Sequence, residues 1–359
     1  MKSIYKAGWL LSSTQAVGLL ATFLRNLLIA RLVTPDEYGI AVTFALAISA
    51  LEMASDFAWD KLIIQSDDGD GARLVNSAHT MMVIRGVLIA AGIFFFADSI
   101  AEIFGVPEVA SSYELLAVAP LLRGFAHLDV KRFQRKMRFH AEAYVLLFSQ
   151  LASLASVFAL IPFIEDHTLM LYAVITQASV QLISSHYFAE RQYGVCFDRE
   201  MFVRMVVFGW PLILNSFLMI ASNEGDKLLV GNAFGVTELA LYSIVVMLIY
   251  SPGVIIRKTT SSIALPILSK AKDDADAFYK ANRIYAGAVM FATVALIVPV
   301  SLFGSSFIED VFGDGYSGPV ILVTWLCVGL GAQIIRSWPV TVSLAMGDTK
   351  NVLYGNIYR

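Results

Sequence analysis

The chain has 359 residues, of which 57% are hydrophobic and 15% charged, with a net charge of −3; soluble globular domains average about 25% charged. No water-soluble fold can bury that much apolar sequence, and the way its basic residues alternate between linkers removes the need for a nucleic-acid partner. Cys196 falls in a linker and Cys327 in an apolar run, so neither a disulfide framework nor a thiol metal site is expected.

Apolar stretches of at least about 16 to 20 residues predict membrane spans. They fall at 8–30, 38–58, 76–96, 113–128, 141–161, 169–189, 205–221, 239–256, 284–303 and 318–345. The first follows Lys2 and Lys6, but it reaches about residue 30 and continues into the span pattern, so it reads as a span and not as a cleaved signal. One face of it carries Ser12, Gln15, Gly18, Thr22 and Arg25 at helical spacing. The second span opens on Thr34-Pro35-Asp36-Glu37, the pattern of a capping box with proline at the first helical position, and Gly39 predicts close packing. It also contains Glu52, with Asp56 near its inner end. The third span holds Arg85 and the fourth Arg123, and between them Ala97–Phe104 has the amphipathic pattern of an interfacial helix. Polar stripes recur as Ser149, Ser153 and Ser156 in the fifth span and as Gln177, Gln181 and Ser184 in the sixth. Arg336 lies inside the tenth.

Linkers 1–7, 59–75, 129–140, 190–204, 257–283 and 346–359 hold 20 of the 26 Lys and Arg, whereas the intervening linkers hold only Arg31 and Lys227. By the positive-inside rule the N-terminus is expected in the cytoplasm. Shifting the chain by 201 residues aligns Gly8-Trp9 with Gly209-Trp210, Leu27-Leu28 with Leu228-Leu229 and Glu37 with Glu238. A parallel repeat requires an even number of spans per copy. The expected fold is therefore an all-α integral membrane protein of two six-helix bundles, residues 1–200 and 201–359, the second incomplete and ending early in its fifth span.

Arginines inside spans carry the functional signal, because each costs about 2.5–3.5 kcal/mol at mid-helix. Arg85 and Arg336 lie deepest, and Arg25 and Arg123 nearer opposite surfaces. Glu52 is the acidic residue well within a span, too little to neutralise four arginines, so an anionic ligand is the economical explanation. The sequence predicts that Arg25, Arg85 and Arg336 share an aqueous cavity, with Arg123 a further member. The histidines His79, His127, His140, His167 and His186 have no metal-ligand spacing, and no linker is large enough for a catalytic domain, so neither an enzyme, a metal site nor a cofactor is expected.

Four stretches carry a family likeness: Arg25–Ile40, Asp56–Gln65, Lys131–Phe139 and Asp226–Gly253. With the span pattern, the chain resembles the polysaccharide or O-antigen flippases of the multidrug/oligosaccharidyl-lipid/polysaccharide exporter superfamily. The resemblance implies two bundles around a cationic lumen in the bacterial inner membrane, moving a polyprenyl-pyrophosphate-linked glycan by alternating access, alongside polysaccharide assembly proteins. It also implies that Arg25 holds the lipid pyrophosphate. A coupled proton or sodium ion, with Glu52 and Asp56 as candidates, belongs to the same picture. Two rivals share the architecture: a multidrug cation antiporter, disfavoured by the sign of the buried charge, and a lipid II flippase, separated only by its sugar.

Overall fold

The computed structural model describes residues 2–313, 316 and 320–346, with side chains at all of these except 2–12, 249, 251, 258, 262 and 266. Among the described residues there is no strand. The helices are α1 (Lys2–Leu32), α2 (Pro35–Ala54), α3 (Trp59–Gln65), α4 (Ala72–Phe95), α5 (Ala97–Ile103), α6 (Ala110–Leu116), α7 (Val118–Gly124), α8 (Asp129–Arg135), α9 (His140–Leu160), α10 (Thr168–Tyr187), α11 (Arg199–Asn223), α12 (Gly225–Phe234), α13 (Val236–Ala271), α14 (Ala275–Phe312) and α15 (Val320–Ala345), with a 3-10 turn at Pro107–Val109. Nine of them, among the described residues, are long and apolar enough to cross a membrane: α1, α2, α4, α9, α10, α11, α13, α14 and α15.

The fourth predicted span, 113–128, is the exception, being built as α6 and α7 with a break at Ala117. Pro120 explains the break. It has no N–H to offer the carbonyl of Leu116, and its ring crowds that carbonyl, so the ladder loses this bond, although Ala117 keeps right-handed helical angles and accepts the Leu121 N–H at 3.4 Å. Sequence hydropathy follows composition and does not register the interruption.

The chain divides into two compact units, Met1–Tyr242 and Ser243–Arg359. In the first, α1 lies along α9 and α10, and α4 lies along α7. At one end of this unit α11 joins the shared core of Trp59, Ile63, Leu74, Ala78 and Leu128 through Met201 and Met205. Gly209 allows this contact, since a Cβ there would come within 2.5 Å of the Phe57 carbonyl oxygen. At the other end Gly39 touches the backbone of Val236, and the Thr237 hydroxyl donates to Asp36, so the predicted close packing at Gly39 is realised. The second unit centres on Ala264, Leu268, Tyr285, Val289 and Ile334. Its buried hydroxyls satisfy one another, with Tyr285 Oη donating to Thr341 Oγ1 at 3.0 Å.

Electrostatics separates the two ends of the first unit. One end gathers Asp129 and Arg132, both buried, with Asp70, Glu190, Arg138 and Lys136 around them. Burial alone would raise the Asp129 carboxyl, but bonds from Arg132 and from the Glu190 and Arg191 amides outweigh it and hold the group below its ordinary value. The opposite end is acidic, with Asp98, Glu102, Glu108 and Glu114 on the segment 97–117, which contains no Lys or Arg.

Candidate functional site

Arg85 on α4 and Arg123 on α7 converge on Glu52 of α2. Arg123 Nη1 donates to Glu52 Oε1 at 2.8 Å, while Arg85 Nη2 donates to the Glu52 backbone carbonyl and Arg85 Nε to Ser55 Oγ at 3.0 Å. The Arg85 guanidinium also lies 6.0 Å from the Trp59 ring centroid. Arg123 Nε is buried without a hydrogen-bond partner among the described residues. Two guanidinium groups and one carboxylate leave a local excess of one positive charge.

The two arginines meet because each is followed by a glycine. A Cβ on Gly86 would come within 2.8 Å of Gly124 Cα and 2.9 Å of the Pro120 carbonyl oxygen, so α4 and α7 cross backbone to backbone. Between Glu52, Arg85, Arg123 and the glycines lies a cavity of about 40 Å³, enough for about one water. In this conformation the cluster is closed around its own carboxylate.

Arg25 sits elsewhere. It is buried in the seam of α1 with α9 and α10, where Nη1 donates to Ser153 Oγ and to Gln177 Oε1, both at 3.0 Å, and Nε and Nη2 donate to Asn26 Oδ1. Thr22 Oγ1 donates to Gln150 Oε1 at 2.9 Å in the same seam. The polar stripes of the first, fifth and sixth spans thus meet each other around Arg25, which lies within electrostatic reach of Arg123. Neutral dipoles hold the Arg25 charge, whereas at Arg123 a carboxylate does. Within the first unit the cluster around Glu52 consists of Arg85 and Arg123; Arg336 lies on α15 in the second unit.

Asp56, an expected ion-coupling residue, accepts the Ala58 N–H at 2.9 Å. It thereby supports the left-handed backbone of Ala58, at φ 52°, between α2 and α3. The capping box at Thr34 forms only in part. Thr34 Oγ1 accepts from the Glu37 N–H at 3.4 Å, but the Glu37 carboxylate turns to His167, accepting from its N–H at 2.8 Å and bonding its Nδ1 at 2.6 Å. His167 Nε2 then meets Ser112 Oγ at 2.9 Å, so this chain ties α2, α6 and α10 together.

His79, His127 and His186 converge on Tyr193, with ring centroids 4.3, 5.6 and 5.1 Å from it. Their nitrogens are used by the backbone. His79 Nε2 accepts the Leu128 N–H, and His127 Nδ1 accepts the Asp129 N–H, each at 3.0 Å. The opposite nitrogens then donate to the Gly194 and Arg191 carbonyls. The group packs the loop 189–198 against α4 and α10, and no spacing rule links three histidines so far apart in sequence.

Comparison with known proteins places this geometry. Residues 28–321 match the family described as "Polysaccharide biosynthesis protein". The succinoglycan biosynthesis transport protein ExoT of Rhizobium meliloti (strain 1021) is 20% identical over 343 residues, covering 94% of this chain and 65% of ExoT. The chain therefore spans about two thirds of the length of that relative. Among solved structures, the lipid II flippase MurJ in an inward closed conformation is similar with TM-score 0.72 at 14% identity, covering 95% of this chain and 77% of MurJ. An inward-facing multidrug resistance MATE family transporter of the MOP superfamily is similar with TM-score 0.66 at 16% identity, covering 95% and 84%. The chain belongs to the polysaccharide biosynthesis protein family and has the multi-pass helical fold that MATE transporters and MurJ share in the MOP superfamily.

Proposed function

We propose that the protein is a flippase that carries a polyprenyl-pyrophosphate-linked oligosaccharide across the cytoplasmic membrane by alternating access. The observation that carries this reading is the pair Arg85 and Arg123 converging on the single carboxylate Glu52 within a helical membrane fold. Two planar guanidinium groups suit the oxygens of a diphosphate two at a time. A site for organic cations would need the opposite balance of charge. The family match supports a polysaccharide cargo.

In this reading the head group competes with Glu52 for Arg123. The 40 Å³ between the helices cannot admit a diphosphate, so entry requires Glu52 to release Arg123 as α2, α4 and α7 part. A released Glu52 is then a candidate to take up the coupling proton or sodium ion, and the structural bond of Asp56 to Ala58 makes Asp56 the weaker candidate. The N-terminus and the linker 129–140 are cytoplasmic in this proposal, in the bacterial inner membrane. O-antigen and other cell-surface glycans are candidate cargoes.

The test is complementation of a strain lacking its own flippase, with membrane levels measured in parallel. Arg85→Ala and Arg123→Ala abolish glycan export at normal membrane levels, and Lys at either position restores it in part because charge returns without the two-pronged geometry. Full export by both Ala variants would give these arginines a structural role alone.

A further inference from the structure

A second cavity in the first unit is lined by none of the residues of the arginine cluster. It is a groove of about 600 Å³ between α4 and the broken α6–α7 segment, within the range of about 300–1,000 Å³ usual for ligand sites. Its walls are apolar: Ala90, Ala91 and Phe94 on one side, Leu115, Val118 and Leu121 on the other. Successive alanines on α4, Ala90 and Ala91, leave its wall shallow opposite Leu115 and Val118.

The surface beside the groove is apolar and exposed: Phe94, Phe95 and Phe96 are 50%, 78% and 63% exposed at the end of a helix long and apolar enough to cross a membrane. The rim has the opposite character. Ser111 and Glu114 are the polar groups of the lining, both are exposed, and Asp98, Glu102 and Glu108 lie on the same acidic segment without a basic residue. A carboxylate at the edge of an apolar slot, Glu114, attracts a lipid head group that presents an ammonium and repels one that carries net negative charge.

We propose that this groove binds an acyl chain of an amine-headed phospholipid of the phosphatidylethanolamine class, with the ammonium at Glu114 and the chain between α4 and α7. The same rim charge argues against the polyprenyl pyrophosphate as occupant, so the site is one for membrane lipid and stands whether or not the cargo reading is right.

Native mass spectrometry of the detergent-purified full chain tests it, with equal amounts of palmitoyl-oleoyl phosphatidylethanolamine and palmitoyl-oleoyl phosphatidylglycerol. The wild type retains the amine lipid about two- to fivefold over the glycerol lipid, the range of an exposed ion pair. Glu114→Gln brings that ratio close to one. Ala91→Phe or Val118→Phe, scored on whichever melts with the wild type, removes the retained lipid, whereas Ile183→Phe on the exposed face of α10 does not. Equal retention of the two lipids by the wild type, an unchanged ratio in Glu114→Gln, or full retention after filling the groove overturns the proposal.

Discussion

Adding one methyl group at Gly86 tests whether the glycine crossing positions the arginines. The Cβ of Gly86→Ala would stand 2.8 Å from Gly124 Cα and 2.9 Å from the Pro120 carbonyl oxygen, both main-chain atoms that cannot rotate away. Carbon atoms are comfortable at about 3.5–4.0 Å, so α4 and α7 must separate by roughly 0.7 Å or more. Overpacking of this kind costs about 1–3 kcal/mol. A shift of α7 by that amount away from α2 as well as α4 takes the 2.8 Å contact of Arg123 with Glu52 to about 3.5 Å, the limit of a hydrogen bond, and leaves a weaker ion pair. Gly92 supplies the control on the same helix. Nothing lies within 4 Å of its Cβ position, so Gly92→Ala is neutral or gains up to about 1 kcal/mol of helix propensity. Thermal melting in detergent, read by fluorescence size-exclusion, should show Gly86→Ala lower by several degrees and Gly92→Ala equal or higher, with export lost only in Gly86→Ala. If both alanine variants melt and export alike, the close crossing does not hold the site.

Two further outcomes follow from the same structure. Asp129→Asn leaves Arg132, 4% exposed at its side chain, without its buried partner; this should cost about 3–5 kcal/mol, and replacing both residues by apolar ones should recover most of it, as measured by melting. Because the folded Asp129 titrates below its ordinary value of 3.8, its contribution is complete above that pH and disappears as the pH falls through the lowered value, so acid melting of the wild type and of Asp129→Asn should converge there. In a Cys196→Ser background, a membrane-impermeant thiol reagent added to intact cells should label Glu108→Cys and spare Lys136→Cys, two exposed positions on linkers of opposite charge; the reverse pattern would invert the topology.

Much of the fold is legible in the sequence because membrane helices announce themselves by apolar length. Nine of the ten predicted spans appear as single helices, with α13 running on to Ala271 and α14 running from Ala275 to Phe312, past both of its expected ends. The fourth is helical but divided at Ala117 into α6 and α7, where Pro120 removes one bond of the ladder, a signal present in the sequence within an unbroken apolar run. Site residues are a different matter. Glu52 stands out as the acid deep within a span, yet its pairing with Arg123 and not Arg85 is a matter of helix crossing, fixed by Gly86 and Gly124, which are 38 positions apart. Arg25 stands out by its depth in a span, but depth alone does not reveal that Ser153, Gln177 and Asn26 accept its hydrogen bonds. Glu37 was expected to close its own helix cap, and tertiary structure instead offered it two donors on His167.

Translocation in a purified system tests the central claim most directly. Proteoliposomes carrying the protein, loaded with a polyprenyl-pyrophosphate-linked oligosaccharide bearing an oxidisable sugar, are treated with impermeant periodate, and the accessible fraction is followed in time. The account predicts that wild-type protein makes the inner-leaflet substrate accessible, that Arg85→Ala and Arg123→Ala do so no faster than empty liposomes, and that free pyrophosphate slows the wild type. Translocation by both Arg85→Ala and Arg123→Ala at the wild-type rate, or none by the wild type while it remains folded and correctly inserted, would contradict it.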